Sequence, residues 1–385
     1  MFRIKERLMI RVAPFGMEMV MSVYYLAAPL LLIEFKANPI ELGLVGSIAS
    51  GVQMILAHRM GPLSDRFGRR RLILLGPLLF TVSCFLAMIA NQVWPILLIS
   101  ILNGICLSLF WPSLQAWVAD FQKGLSLARN IGTLNMAWTV SLLLGPTLSG
   151  TFFGVHPRLP FLFAGSLALI LFLLSYGSIH DKPREKETKE PGAESPISAW
   201  HRNFLYAAWI ANFMSWFLLG NARYQFPKLA RELGSAPLTV GLLTGCMGFS
   251  LFMGFFLLRE TDLWHFRRRY LFGAQALAAV GLSTIYLSSS PFLFGLALIA
   301  VGLSASITYY SSLFYGIRLS TQIGRGTGFH ESILSMGALA GPILGGLGAQ
   351  FYGLRAPYLI CLVFLFAAVG CEWIFLRRKG AGDLN

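Results

Sequence analysis

The sequence predicts an all-α membrane protein of twelve transmembrane helices arranged as two parallel six-helix repeats. Three observations predict it. The chain is 56% hydrophobic and 12% charged over 385 residues, where a soluble domain carries about a quarter charged residues. Its apolar residues gather into runs near the roughly 20 residues that a helix needs to cross hydrocarbon. The order of landmark residues in the first half recurs in the second.

Taken in order, the apolar runs place helices near 12–33, 41–60, 72–91, 94–119, 128–154, 158–179, 203–222, 238–258, 270–288, 291–316, 326–351 and 356–376. Only helices or closed barrels satisfy backbone polar groups in lipid, and a barrel needs short alternating strands, which continuous apolar runs exclude. The N-terminus is basic but lacks a small-residue cleavage site after a short apolar stretch, so the first helix is expected to stay as a span. The five cysteines, Cys84, Cys106, Cys246, Cys361 and Cys371, lie in apolar helices without metal-ligand spacing; packing is expected of them, with no disulfide, metal or cofactor.

A net charge of +14 raises the possibility of a nucleic-acid partner. On the twelve-helix map, however, 25 of the 31 Lys and Arg residues fall in the termini and even-numbered loops, and 6 in the odd-numbered loops. Basic residues are retained on the cytoplasmic side, so both termini are expected inside a cell (inner) membrane, with the lipid bilayer and not nucleic acid as the partner. The hydrophilic stretch Asp181 to Glu194 has mixed charge, Pro and Gly and too little apolar content to fold. It divides the chain into residues 1–180, a linker at 181–200, and residues 201–385.

The two halves repeat. Pro29, Pro39, Gly43, Gly104 and Ser108 recur 198 positions later as Pro227, Pro237, Gly241, Gly302 and Ser306, and Arg69, Arg70 and Arg71 as Arg267, Arg268 and Arg269. With small drifts, Gly145-Pro146 pairs with Gly341-Pro342, Gly150 with Gly346, and Arg158 with Arg355. Six helices followed by six equivalents in the same orientation form a parallel repeat about an axis normal to the membrane, an arrangement used by transporters.

The loop after helix 2 carries Gly61, Leu63, Asp65, Arg66, Gly68, Arg69, Arg70 and Arg71. In this spacing it resembles the G-x-L-a-D-R-x-G-R-R loop of the major facilitator superfamily. The resemblance implies the major facilitator fold and a cytoplasmic gate at Gly61, Asp65, Arg66, Gly68 and Arg69, with Arg69 bridging to Asp120 at the end of helix 4. The glycines suit a tight turn, and the charges suit a contact made in one state and broken in another. A plainer reading leaves the arginines as topology signals only, but an acid such as Asp65 adds nothing to topology. The second-half copy keeps Asp262 and the arginines without the glycines.

Helix 5 holds Gly132, Ser141, Gly145-Pro146 and Ser149-Gly150, resembling the antiporter motif of facilitator-type drug/proton exporters with Ser for Gly twice. Helix 11 fits the same spacing with Gly328, Gly337, Gly341-Pro342 and Gly345-Gly346. Small residues allow close helix approach and Pro interrupts a backbone bond. The motif therefore reads either as an export signature or as helix packing between halves.

The resemblance makes helices 1, 4, 7 and 10 the cavity wall, and their polar stripes supply the candidates. These are Glu18, Ser22 and Tyr25; Trp111 and Gln115; Asn212 and Trp216; and Tyr309. Glu18 lies six residues inside the expected first helix, about 9 Å along it. An acid there costs roughly 2.5–3.5 kcal/mol to insert, so it is expected to face a cavity and exchange protons; the alternative is a headgroup-level Glu18 paired with Arg11. Glu331, beside His330 near the start of helix 11, is the second proton candidate or a member of the cytoplasmic gate. Arg223 reads equally as an anion selector or an outer surface base.

The expected function is secondary active transport by alternating access: proton-coupled export of small hydrophobic or amphipathic compounds by a monomer. A symporter or uniporter for sugars or organic acids is the alternative, with a non-transporting sensor or an enzyme more remote. The chain has no H-E-x-x-H, G-x-S-x-G or P-loop, so neither catalysis nor ATP drive is expected.

Overall fold

The computed structural model describes residues 2–121, 127–180, 199–319 and 323–377, excepting the side chains of 2–5, 7, 58, 61, 62, 64, 65, 119–121, 127–134 and 323–328. The regular structure among them is helical throughout. Before the linker come α1 (Phe2–Glu34), α2 (Pro39–Phe67), α3 (Arg69–Ile89), α4 (Val93–Phe121), α5 (Leu127–Val155) and α6 (Leu159–Tyr176). After it come α7 (Ala199–Tyr224), the short α8 (Phe226–Glu232), α9 (Pro237–Arg259), α10 (Arg268–Leu287), α11 (Pro291–Arg318), α12 (Ile323–Tyr352) and α13 (Ala356–Arg377). Predicted helices 8 to 12 are thus α9 to α13.

Eleven of these helices are long and apolar enough to cross a membrane. The twelfth expected span, α7, falls short because Asn212, Ser215 and Asn221 sit on it. All three are buried against other helices, and a span shielded from lipid need not be apolar all round. Leu169, Ile170, Val280, Val363 and Phe366 are exposed on the outer helices, as a surface solvated by acyl chains requires.

Local signals set several boundaries. At the start of α2 the Asn38 side chain accepts from the Glu41 amide at 2.9 Å while the Glu41 carboxylate accepts from the Asn38 amide at 2.8 Å, a reciprocal capping box. Pro39, Pro237 and Pro291 open their helices, where a missing N–H costs nothing. Arg158 donates to the carbonyls of Ala87 and Ala90 that end α3. Its repeat mate Arg355 does the same for Ile285 and Tyr286 at the end of α10, at 3.2 and 2.6 Å.

Three differences from the sequence reading matter for the site. Helix α1 begins at Phe2, ten residues before the expected start at 12, because the helix continues beyond its apolar stretch; Glu18 therefore stands sixteen positions from either end. The expected loop at Gly61 to Arg71 is helical except at Gly68, whose φ of 92° is open to glycine at little cost. Finally, α1 runs unbroken through Pro29 to Glu34, whereas its repeat mate breaks at Gln225 into α7 and α8.

The helices before and after the linker pack mainly through two contacts, α5 on α9 and α2 on α12. Both are close enough to need glycine. A Cβ at Gly43 would overlap the Pro342 carbonyl and one at Gly241 the Pro146 carbonyl, two contacts related by the repeat. Gly150 against Pro237 and Gly346 against Pro39 repeat the arrangement nearer the same end.

Candidate functional site

The polar centre is built where α1 and α7 face each other. Glu18 is 5% exposed in the middle of α1, and the cation that acts on it is Arg223 and not Arg11. Arg223 of α7 is the cation acting electrostatically on its carboxylate, and Glu18 in turn acts on Tyr25 and Tyr309. The Arg223 guanidinium carbon lies 5.1 Å from the Tyr25 ring centroid and 5.3 Å from that of Trp216. Arg223 is thus half-buried against these rings, in the last turn of α7, which runs past the predicted end at 222.

Two small cavities meet at Tyr25 and Arg223. One, of about 30 Å³, is walled chiefly by Leu26, Leu142, Pro146, Leu219 and Met247; the other, of about 40 Å³, by Gln53, Leu107, Trp216 and Leu334. Each holds about one or two waters, whereas a drug-sized ligand needs a pocket of about 300–1,000 Å³. The described conformation is closed around its centre. Ser22 lines the first cavity, but its hydroxyl donates to the Ser141 carbonyl at 2.9 Å, leaving it engaged in packing α1 on α5.

Tyr309 of α11 is the aromatic hub. It contacts Trp138 at 5.8 Å, Phe255 at 5.4 Å, Trp216 at 6.3 Å and the His330 ring, edge to face, at 4.6 Å. His330 is fully buried: its Nδ1 shares a hydrogen bond with Ser312 at 2.9 Å and lies 3.5 Å from the Asn212 amide. Next to it, Glu331 accepts from the Gln115 side chain of α4 at 3.0 Å, linking the two halves of the chain. The structure thus brings together Glu18, Tyr25, Trp216, Tyr309 and, through Tyr309 and His330, Asn212 and Glu331. Trp111 is apart, packed edge-on against Phe110 at 5.4 Å.

Where a gate is expected, Arg69 donates to the Ala116 carbonyl on α4, one turn before Asp120, and Gly68 makes the break between α2 and α3. Arg66 is exposed and lies over Phe67 at 5.6 Å. The side chains of Gly61, Asp65 and Asp120 lie outside the described residues, as do the surroundings of Gly132. In the second-half copy, Asp262 pairs with His265 at 3.6 Å, and His265 stacks on Phe314 at 4.5 Å. Burial holds the His265 imidazole below its ordinary value, with Asp262 opposing and Arg318 adding to the shift.

Among the described residues, the helix 5 and helix 11 motif glycines and prolines lie at contacts; the surroundings of Gly328, like those of Gly132, are outside them. Gly145 faces Ser22, Gly341 faces the Phe217 carbonyl, and Pro146 and Pro342 present their carbonyls to Gly241 and Gly43. Ser141, one of the two replacements, donates to the Phe15 carbonyl at 2.7 Å and ties α5 to α1. Sequence reasoning missed Gln225, which donates to the carbonyls of Pro39 at 3.0 Å and Pro342 at 3.3 Å. It also missed the buried pair of Gln275 and Glu372 between α10 and α13. Neither has a short-range signature, although a lone Glu in the last apolar run was visible.

Comparison with known proteins agrees with this arrangement. Residues 12–222 and 208–384 each match the model of the Major Facilitator Superfamily. The quinolone resistance protein NorA of Staphylococcus aureus is 29% identical over 160 residues, covering 42% of this chain and 41% of that protein. Multidrug resistance protein 1 of Bacillus subtilis is 30% identical over 162 residues, 42% of each chain. The chain thus matches less than half the length of these relatives. Among solved structures, an inward-facing bacterial homolog of the human lysosomal transporter Spinster superposes with a TM-score of 0.75 at 17% identity, over 98% of this chain and 97% of that one. With matches over both halves, helices of spanning length and a shared fold, the chain belongs to the Major Facilitator Superfamily and is a multi-pass membrane transporter, not an enzyme.

Proposed function

We propose that the protein exports small hydrophobic or amphipathic compounds in exchange for protons, with Glu18 carrying the proton. The observation behind this reading is the position of Glu18: a buried acid at the midpoint of α1, under the influence of Arg223 and within electrostatic reach of Tyr25 and Tyr309. A carboxylate held away from water is stable only with a countercharge or a proton. Proton and substrate then compete for one centre, which is the condition for exchange. The aromatic and aliphatic walls suit apolar substrates, and the drug-resistance relatives favour outward transport.

In this reading the two units, 1–180 and 201–385, rock as bodies about the α5–α9 and α2–α12 contacts, joined by the linker at 181–200. Both termini are on the cytoplasmic side of a cell membrane in this reading, which the distribution of basic residues supports. The end sealed by Gly43, Gly150, Gly241 and Gly346 is then extracellular, so the next opening from the described state faces the cytoplasm. Opening that side breaks the Gln115–Glu331 contact, Arg69 and Asp120 serve the same gate, and a monomer suffices.

The test uses everted vesicles with an acidic lumen, to which a panel of lipophilic cations, dyes and neutral amphiphiles is added. Uptake with simultaneous collapse of the pH gradient, lost in Glu18→Gln, is expected. No response to any of them, with uptake of sugars or organic acids in whole cells instead, overturns export in favour of import.

A further inference from the structure

Among the described residues, Arg223 is a cation of the polar centre to which proton exchange at Glu18 assigns no task. It lines both cavities, lies against two aromatic rings and acts on Glu18, yet among the described residues no hydrogen bond or ion pair holds its guanidinium. Five N–H donors without a fixed acceptor are unusual for a structural arginine, which is ordinarily tied by its planar fork to carboxylates or carbonyls. Arg158 and Arg355 of this same chain are tied in that way.

We propose that Arg223 is a resident stand-in for the substrate: its guanidinium fills the space beside the rings of Tyr25 and Trp216, in the field of Glu18, that takes the cationic group of an amphipathic compound, and the compound binds by displacing it. Two ring faces and one acid make a receptor for a cation, since the negative face of each ring and the carboxylate attract positive charge together. With Arg223 in place the receptor is full, which accounts for the remaining voids of about 30 and 40 Å³ beside it. Moving the side chain aside merges the two voids, because Arg223 and Tyr25 are the residues common to both.

Charge conservation decides between this role and anion binding. A cationic substrate replaces one positive charge by another, so the ionised Glu18 that remains after its proton has left has a countercharge in the bound state. An anion seated on Arg223 would lie against ring faces that repel it and would take the countercharge from Glu18, leaving a buried charge unpaired. The position of Arg223 also gives it somewhere to go. It is in the last turn of α7, two residues before the break at Gln225, so its side chain can withdraw toward that junction without unwinding a span.

This assignment rests on the transporter binding its substrate at the Glu18 centre, and its test is binding, not transport. The purified full-length protein in lipid nanodiscs is titrated with tetraphenylphosphonium and, separately, with 1-naphthalenesulfonate, for wild type, Arg223→Met, Arg223→Lys and Trp216→Leu. Removing the internal competitor is expected to tighten tetraphenylphosphonium binding about tenfold in Arg223→Met, with Arg223→Lys near wild type and Trp216→Leu weaker than wild type. Arg223→Gln replaces the Met variant if the latter does not melt as wild type does. Unchanged, weaker or absent tetraphenylphosphonium binding in the neutral variant overturns the proposal, as does sulfonate binding that the wild type shows and the neutral variant loses. Failure of the export reading appears elsewhere, as vesicles without substrate-driven proton flux while the tighter cation binding persists.

Discussion

Removing the side chains of Gln225 and Lys228 is expected to free the sealed end of the molecule. Gln225 donates to the Pro39 carbonyl at 3.0 Å and Lys228 to the Ala37 carbonyl at 2.9 Å, and Arg231 faces Glu34 at 3.7 Å. All three reach from the α7–α8 break to the connection between α1 and α2. The other Gln225 bond, to Pro342, stays within the later helices and survives opening. A neutral hydrogen bond contributes about 0.5–1.5 kcal/mol and one from a charged group about 1.5–3 kcal/mol. Part of this is returned, because Lys228 is only half-buried and the Gln225 side-chain oxygen has no partner. A net loss of about 2 kcal/mol corresponds to roughly a thirtyfold shift between open and closed populations. In the double variant Gln225→Ala, Lys228→Ala, a single cysteine at Leu219 in a background lacking the five native cysteines should react with an impermeant maleimide from that side roughly thirtyfold faster. An unchanged rate, with both proteins folded, refutes the idea that the α8 contacts hold this end shut.

Three further outcomes follow from named contacts. Gly43→Ala and Gly241→Ala each force a methyl group into a facing carbonyl and should lower stability by about 1–3 kcal/mol in thermal melts, while Gly273→Ala, with nothing within 4 Å of its added carbon, should not. Glu331→Gln retains an acceptor for Gln115 and Glu331→Leu does not, so if the contact serves the gate, vesicle transport should survive the first change and fall in the second. Loss of proton coupling with the Gln variant would instead make Glu331 a coupling acid. Because burial lowers the His265 value below 6.5, the folded state binds fewer protons there than the unfolded one. Its stabilising share is complete above about pH 6.5 and is lost as pH falls through the lower folded value. The melting temperature of wild type should therefore drop more steeply between pH 6.5 and 5 than that of His265→Gln, and equal slopes would dismiss the residue as a pH-sensitive element.

The fold was legible because lipid leaves a chain few options: apolar runs, the placement of basic residues and the landmark repeat each reflect one constraint. The repeat even located the glycines, since Gly43 and Gly241 occupy equivalent contacts with Pro342 and Pro146. The break at Gln225 was not legible. Pro29 and Pro227 are equivalent in sequence, yet α1 passes through one and α7 stops before the other, where Gln225 finds carbonyls on two separate helices. Tertiary partners of that kind leave no local trace. Glu18 stood out as an acid inside an apolar run, but the cation that acts on it did not, because Arg223 stands on another helix far along the chain. Arg223 was visible as a residue and undecided in role until α7 was seen to carry it between Tyr25 and Trp216.

The exchange of proton for substrate at Glu18 is tested most directly by following the pH of a lightly buffered solution of the purified transporter as substrate is added. The account predicts release of about one proton per bound substrate from wild type at a pH where Glu18 is protonated, and none from Glu18→Gln although substrate still binds. Release that persists in Glu18→Gln, or binding to wild type without any release, would contradict it.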